Sequence, residues 1–228
     1  MLEWLPENVS SYGDRIDFFF YVIYYITTAV FIAVAGAMIY FLIRYRHKEG
    51  RKAIYSHGNT TLEVVWTTAT TLAVVILALV SKPLWSHIKQ EQPPADVTVK
   101  VRGKQFNWEI QYPGPDGKFG TGDDYQIDND LHVPVGAVVH VDLSSIDVIH
   151  SFFVPQLRLK QDALPGREIK AWFKATKAGE YEIPCAELCG FGHSGMKGRL
   201  FVLEKDAYDA WRNETWPPPE PPSVEDAD

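Results

Sequence analysis

Residues 18–43 read FFFYVIYYITTAVFIAVAGAMIYFLI, 26 positions without one charged side chain. About 20 apolar residues in a helix cross the hydrocarbon core of a bilayer, so this run spans a membrane. A second run, residues 64–81, reads VVWTTATTLAVVILALVS. With Trp66, Leu84 and Trp85 as interfacial anchors it is long enough to cross again. Between the runs lie Arg44, Arg46, His47, Lys48, Arg51 and Lys52 against one acid, Glu49. Short basic loops stay on the cytoplasmic side, so the helices form a hairpin with both termini exported. The N-terminus opens with acids instead of a basic n-region, and its apolar run exceeds the roughly 7–15 residues of a signal peptide, which argues against cleavage. Thr67, Thr68, Thr70 and Thr71 make one side of the second helix small, suited to packing on the first span or on a larger membrane partner.

Working outward, the whole chain has 228 residues, 46% hydrophobic and 13% aromatic, which excludes a disordered protein. Two cysteines exclude a disulfide scaffold, and 16 Gly with 15 Pro exclude a low-complexity chain. A mean hydropathy of −0.14 conceals the split between an apolar front and a polar remainder. Residues 91–228 carry 14 basic and 23 acidic groups, a formal charge of −9. Such a field steers a basic soluble partner toward the exported part, unless it is only a solvated surface, and nucleic acid is not expected as a partner.

After the linker Gln92-Pro93-Pro94 the pattern changes to period two. Val97, Val99 and Val101 alternate with Thr98, Lys100 and Arg102; Phe106, Trp108 and Ile110 alternate with Asn107 and Glu109. Further strands are predicted over 137–143, 169–175, 180–184 and 198–203, with turns at Pro134-Val135-Gly136, Pro165-Gly166 and Ala178-Gly179. Many short strands at this spacing argue for an antiparallel sandwich or barrel. The predicted organisation is an exported N-terminal segment over 1–17, a transmembrane hairpin over 18–90, a β domain over 95–204, and a short helix with a Pro-rich acidic tail over 205–228. The Gly/Asp-rich stretch 113–124 matches a calcium-binding EF-hand loop poorly and reads as a hairpin loop.

The chemistry concentrates in Cys185-Ala186-Glu187-Leu188-Cys189-Gly190-Phe191-Gly192-His193-Ser194-Gly195-Met196. Both cysteines of the chain fall here beside a histidine and a methionine. Thiolate, thioether and imidazole form a soft ligand set that selects copper over magnesium, calcium or manganese. His150 follows a predicted strand, and a sandwich gathers its loops at one end, so His150 can meet the cysteine loop. A disulfide leaves His and Met unexplained, a Cys2His2 zinc site leaves Met196 without a role, and a mononuclear blue-copper site has one thiolate too many. A binuclear site uses every ligand. Cys185 and Cys189 bridge two coppers, His150 and His193 each close one, and Met196 and the carbonyl of Glu187 make weak axial contacts. With no open coordination position such a centre carries electrons and binds no substrate, so no residue is assigned a catalytic role.

The cysteine-to-Met196 stretch, Asp147-Val148-Ile149-His150-Ser151, and the stretch 154–167, VPQLRLKQDALPGR, resemble subunit II of the haem-copper cytochrome c oxidases, and the likeness runs from the first span to about Leu203. The resemblance implies a cupredoxin-like Greek-key sandwich on a two-helix anchor. It implies a CuA centre that takes electrons from a c-type cytochrome and passes them to haem a of subunit I, where oxygen is reduced and protons are pumped. Subunit III is a further implied partner. By the same resemblance, Glu187 reaches a magnesium shared with subunit I, or is a solvated loop carboxylate. Glu63 is the uptake carboxylate of a proton channel, or a first-turn charge favourable to the helix dipole. Asp147 docks the cytochrome, or is a loop carboxylate.

The sequence departs from the family at Phe106, where a tryptophan is usual and is thought to receive the electron; Trp108 is the alternative, and core packing explains both residues equally well. No Cys-x-x-Cys-His occurs, so the donor is a separate protein. The Gly/Asp-rich insertion favours a bacterial inner membrane, with the copper domain in the periplasm. A membrane-tethered module that stores, delivers or senses copper is the competing function; a quinol oxidase homologue is excluded by the copper ligands.

Overall fold

The computed structural model describes residues 4–52 and 54–216. The Pro-rich tail from 217 onward lies outside the described residues. The chain divides into a helical unit over 15–91 and a β unit that also takes in the residues up to 14. In the helical unit, α1 covers Gly13–Arg44 and α2 covers Thr60–Lys89. Asp14 in the first turn and Arg44 in the last suit the dipole of α1. Asn59 caps α2, its side chain accepting from Leu62 N at 3.0 Å. Pro83 sits inside α2, which membrane helices tolerate. Apart from Gly13, neither helix has a buried residue, so most of the apolar surface of both stays open.

Among the described residues the β unit holds ten strands. A five-stranded sheet runs in the order β3 (Tyr125–Asp128), β2 (Asn107–Tyr112), β1 (Val97–Lys104), β5 (Val138–Ser145) and β8 (Ile169–Lys174). Facing it is a three-stranded sheet of β4 (Asp130–Pro134), β10 (Lys197–Leu203) and β9 (Gly179–Pro184). β6 (His150–Val154) and β7 (Leu159–Ala163) form a separate pair. α3 (Lys205–Thr215) follows the last strand.

Two pairings are parallel, β1 with β5 and β4 with β10, where an all-antiparallel arrangement was expected. A Greek-key crossover places strands far apart in sequence side by side, and hydrophobic alternation alone carries no information about strand direction. The inward faces supply Val99, Val101, Ile110, Leu131, Val141 and Leu200 to one core, all at 0% exposure. Trp108 crosses that core, its Nε1 donating to Ile183 O at 3.1 Å and so joining the two sheets.

β2 departs from strict alternation. Glu109, expected to face water, is only 9% exposed and pairs with Arg102 at 3.2 Å and Lys104 at 3.1 Å. Phe106, predicted within a strand, lies in the turn before β2.

The N-terminal residues run along β8. Ser11 N donates to Lys174 O at 3.1 Å, Thr176 N to Val9 O at 2.8 Å, and Val9 N to Gln156 O at 3.0 Å. Val9 is 1% exposed, within the core. Tyr12 OH donates to Trp172 O at 3.2 Å. These contacts cover the outer edge of β8, which would otherwise offer unpaired backbone groups.

Candidate metal centre

Three connections meet at one end of the sandwich: the β1–β2 turn with Gln105 and Phe106, the β5–β6 loop with residues 146–149, and the stretch from Cys185 to Met196 between β9 and β10. That last stretch is closed at its base by Cys185 N donating to Met196 O at 3.0 Å. Ala186 N donates to Ser151 O at 2.9 Å, which fastens the loop to β6. Within it a single 3₁₀ turn, His193–Gly195, returns the chain to β10. Gly190 adopts φ 138°, a region open to glycine and strained for other residues.

His150 opens β6 and is fully buried. A Cβ on Gly103 would strike its ring, so that glycine makes room for the imidazole. The His150 Nδ1 faces Cys185 Sγ at 3.9 Å, and its Nε2 lies 2.9 Å from Asp147 Oδ1. The two sulfurs are 3.9 Å apart, far beyond the ~2.05 Å of a disulfide. Cys189 Sγ lies 3.6 Å from His193 Nδ1 and 3.7 Å from Met196 Sδ. Glu187 turns its carbonyl to Cys185 Sγ at 3.2 Å while its side chain stays exposed. Donor atoms each about 2.0–2.3 Å from a tetrahedral metal lie roughly 3.3–3.8 Å from one another, so the spacing of this set fits metal in its interior.

The electrostatics agree with a cation-binding role. Burial, reinforced by the neighbouring Cys185, pushes the Cys189 thiol up to about 11. Cys189 therefore holds its proton near neutral pH, and a metal ion is what would displace it. Burial raises the Asp147 carboxyl, but hydrogen bonds from His150, Gln105 N and Val148 N outweigh it and hold the group at about 2. Asp147 Oδ2 accepts from Gln105 N at 2.8 Å and Oδ1 from Val148 N at 2.6 Å.

All six residues expected to hold copper, His150, Cys185, Glu187, Cys189, His193 and Met196, thus converge. The two aromatic residues considered for electron reception differ. Trp108 is fully buried, its ring 6.0 Å from that of His150 and 5.6 Å from that of Phe152. Phe106 is 38% exposed and rests on the backbone of Gly190 and Gly192. Asp147 faces inward on His150 and the β1–β2 turn. Glu63 belongs to the first turn of α2, in the helical unit. The sequence reading missed Gln105, Gly103, Gly190 and Gly192; the glycine spacing inside the cysteine loop was the only local sign of them.

Soft donors gathered at one end of a Greek-key sandwich, in a chain that also carries two apolar helices long enough to cross a membrane, define a membrane-anchored cupredoxin-like protein. Residues 97–201 match the family model described as the cytochrome c oxidase subunit II periplasmic domain, and residues 4–84 match the subunit II transmembrane domain. The chain is similar to the alternative cytochrome c oxidase subunit 2 of Bradyrhizobium diazoefficiens, at 34% identity over 91% of this chain and 82% of the relative. Cytochrome c oxidase subunit 2 of Thermostichus vulcanus is 33% identical over 92% of this chain and 78% of its own. A crystal structure of the periplasmic domain of subunit II from Bradyrhizobium japonicum is 36% identical, covering 54% of this chain and 96% of that one, with a TM-score of 0.48. The chain belongs to the cytochrome c oxidase subunit II family. It is a two-pass membrane protein, and its β domain corresponds to the family's periplasmic domain.

Proposed function

We propose that this chain is the electron-input subunit of a proton-pumping haem-copper oxidase, taking electrons from a c-type cytochrome and handing them to haem a of subunit I, which reduces oxygen to water. One observation carries the reading: two buried, unbonded thiols 3.9 Å apart, each with an imidazole nitrogen within 3.9 Å. A binuclear CuA centre bound there would supply one-electron exchange with no open position for substrate. His150, Cys185, Cys189 and His193 would hold it, with Met196 and the Glu187 carbonyl as weaker donors. The chain's own part is rigidity: strands and a closed loop hold the donors, so little has to move as charge changes.

The remaining assignments belong to the same proposal. Residues 95–204 form the exported copper domain, with 1–17 and the 205–228 tail on the same side and the 18–90 hairpin in the membrane. The outward apolar faces of α1 and α2 suit burial against subunit I, with subunit III a further neighbour in the complex. The exposed Glu187 carboxylate is available to a magnesium shared with subunit I. Glu63 lies at the cytoplasmic mouth of α2, where a proton channel would begin. The exposed Phe106, resting on the backbone of the cysteine loop, offers a donor an aromatic surface, and Asp147, bonded to the same β1–β2 turn, stands in the donor's footprint.

The test is metal analysis with visible and electron paramagnetic resonance spectra of the intact oxidase carrying this chain. A copper pair per chain is expected, and His193→Ala is expected to lose its purple absorption. One copper per chain, or a Cys185–Cys189 disulfide in the active preparation, would overturn the reading. A copper-storage module would instead release its metal readily and purify without a haem partner.

A further inference from the structure

The two sides of the ligand set are joined by a second connection that does not pass through the sulfurs. Gln105 stands in the β1–β2 turn, and its side-chain Nε2 donates to Cys189 O at 2.5 Å. Because that partner is a carbonyl, only the amide nitrogen of Gln105 can face it. The backbone N of the same residue donates to Asp147 Oδ2 at 2.8 Å, and Asp147 Oδ1 lies 2.9 Å from His150 Nε2. A single chain of hydrogen bonds therefore runs from His150 through Asp147 and Gln105 to Cys189.

The glycines of the cysteine loop fit this arrangement. A Cβ at Gly190 would strike the Gln105 amide and the Phe106 ring, and one at Gly192 would strike the Phe106 ring. The turn thus lies flat on the loop's backbone, with Gln105 as its polar clasp. Every other contact of Cys189 given above lies within its own loop or at Cys185; Gln105 is the clasp from the β1–β2 turn.

We propose that Gln105 is a positioning residue of the metal centre, setting the distance between His150 and Cys189 and tuning the centre's reduction potential. The inference rests on the function proposed above. Partners of this kind, one step removed from the ligands, orient them and alter metal affinity. The amide N–H also points the positive end of its dipole at the Cys189 peptide, which favours the electron-rich, reduced state of anything held there. Removing that donor lowers the potential.

The test compares Gln105→Leu and Gln105→Glu with the unaltered chain in the assembled oxidase. Gln105→Leu keeps the bulk and loses the donor. Gln105→Glu keeps shape and polarity at this exposed position, so it folds, but it opposes a carboxylate to the Cys189 carbonyl. Both variants are expected to shift the visible bands, lower the reduction potential and release copper to a chelator about tenfold faster, with Glu the larger effect. Unchanged spectra, potential and release rate in both would overturn the proposal, including the case in which only the KM for the cytochrome changes, since a docking role alone predicts that. If the unaltered oxidase itself lacks a copper pair, the functional reading has failed and this proposal falls with it. If it holds the pair and the variants match it, only the role of Gln105 has failed.

Discussion

The β domain packs a histidine against aromatic side chains at two places, and they behave as opposites. His150 meets the edge of Trp108 and is fully buried, with one ring nitrogen on Asp147 and the other toward Cys185. His132 is stacked flat between Phe201 at 4.6 Å and Trp211 of α3 at 4.7 Å. Its buried Nδ1 has no hydrogen-bond partner among the described residues. Enclosure alone therefore does not make an imidazole a ligand. What distinguishes His150 is an acceptor fixing its far nitrogen while soft donors await its near one. At His132 the ring serves as a flat spacer that seats α3 on β10.

The comparison is tested most severely at Trp108. Trp108→Ala removes the ring beneath His150 and the bond to Ile183, and is expected to cost about 3–5 kcal/mol in urea denaturation, with the copper spectrum lost alongside. Asp147→Ala is expected to weaken copper about 10–100-fold in competition with a chelator while the fold stays intact. If copper affinity does not change, orientation of His150 by Asp147 is not what separates the two sites. Trp211→Ala should cost about 0.5–1.5 kcal/mol in ring stacking beyond the apolar burial it removes, and leave the copper spectrum unchanged. A changed spectrum would mean the ends are coupled.

The smallest effect expected is a pH dependence at His132. Burial lowers its proton affinity, against the pull of nearby Asp130. An unfolded histidine titrates near pH 6.5, so the folded domain takes up the proton only at lower pH. Stability should be full above about pH 6.5 and fall as the pH drops below it, until the folded ring itself is protonated. His132→Phe, which keeps the stack, should flatten that slope in thermal melts across about pH 7 to 5.

Sequence alone exposed what is local. An uncharged run of 26 residues announces α1, and six ligand residues, five of them within twelve positions, announce soft-metal chemistry. Strands half-exposed to water, such as β1, show their alternation. β6 does not, because four of its five residues are buried and its pattern is nearly continuous. β3 is four residues long and half exposed, too short to register a period. The connections that organise the site were equally hidden. Gln105 lies 84 positions from Cys189, and nothing in its own neighbourhood marks it. Asp147 was placed in the right loop, but its inward bonds to His150 and Gln105 appear only once the β1–β2 turn is folded against it.

The strip from Val9 to Tyr12 has a consequence for how this molecule is made. Tyr12 and Trp172 are 160 positions apart, and both membrane segments lie between them. During synthesis the first piece of the domain is made before either helix, and it must wait for β8 before it has anything to join. The sandwich can close only after both helices have emerged. A soluble fragment beginning at the linker would lack the piece that seals β8 and places Val9 in the interior; fusing those few residues ahead of it would supply the missing edge.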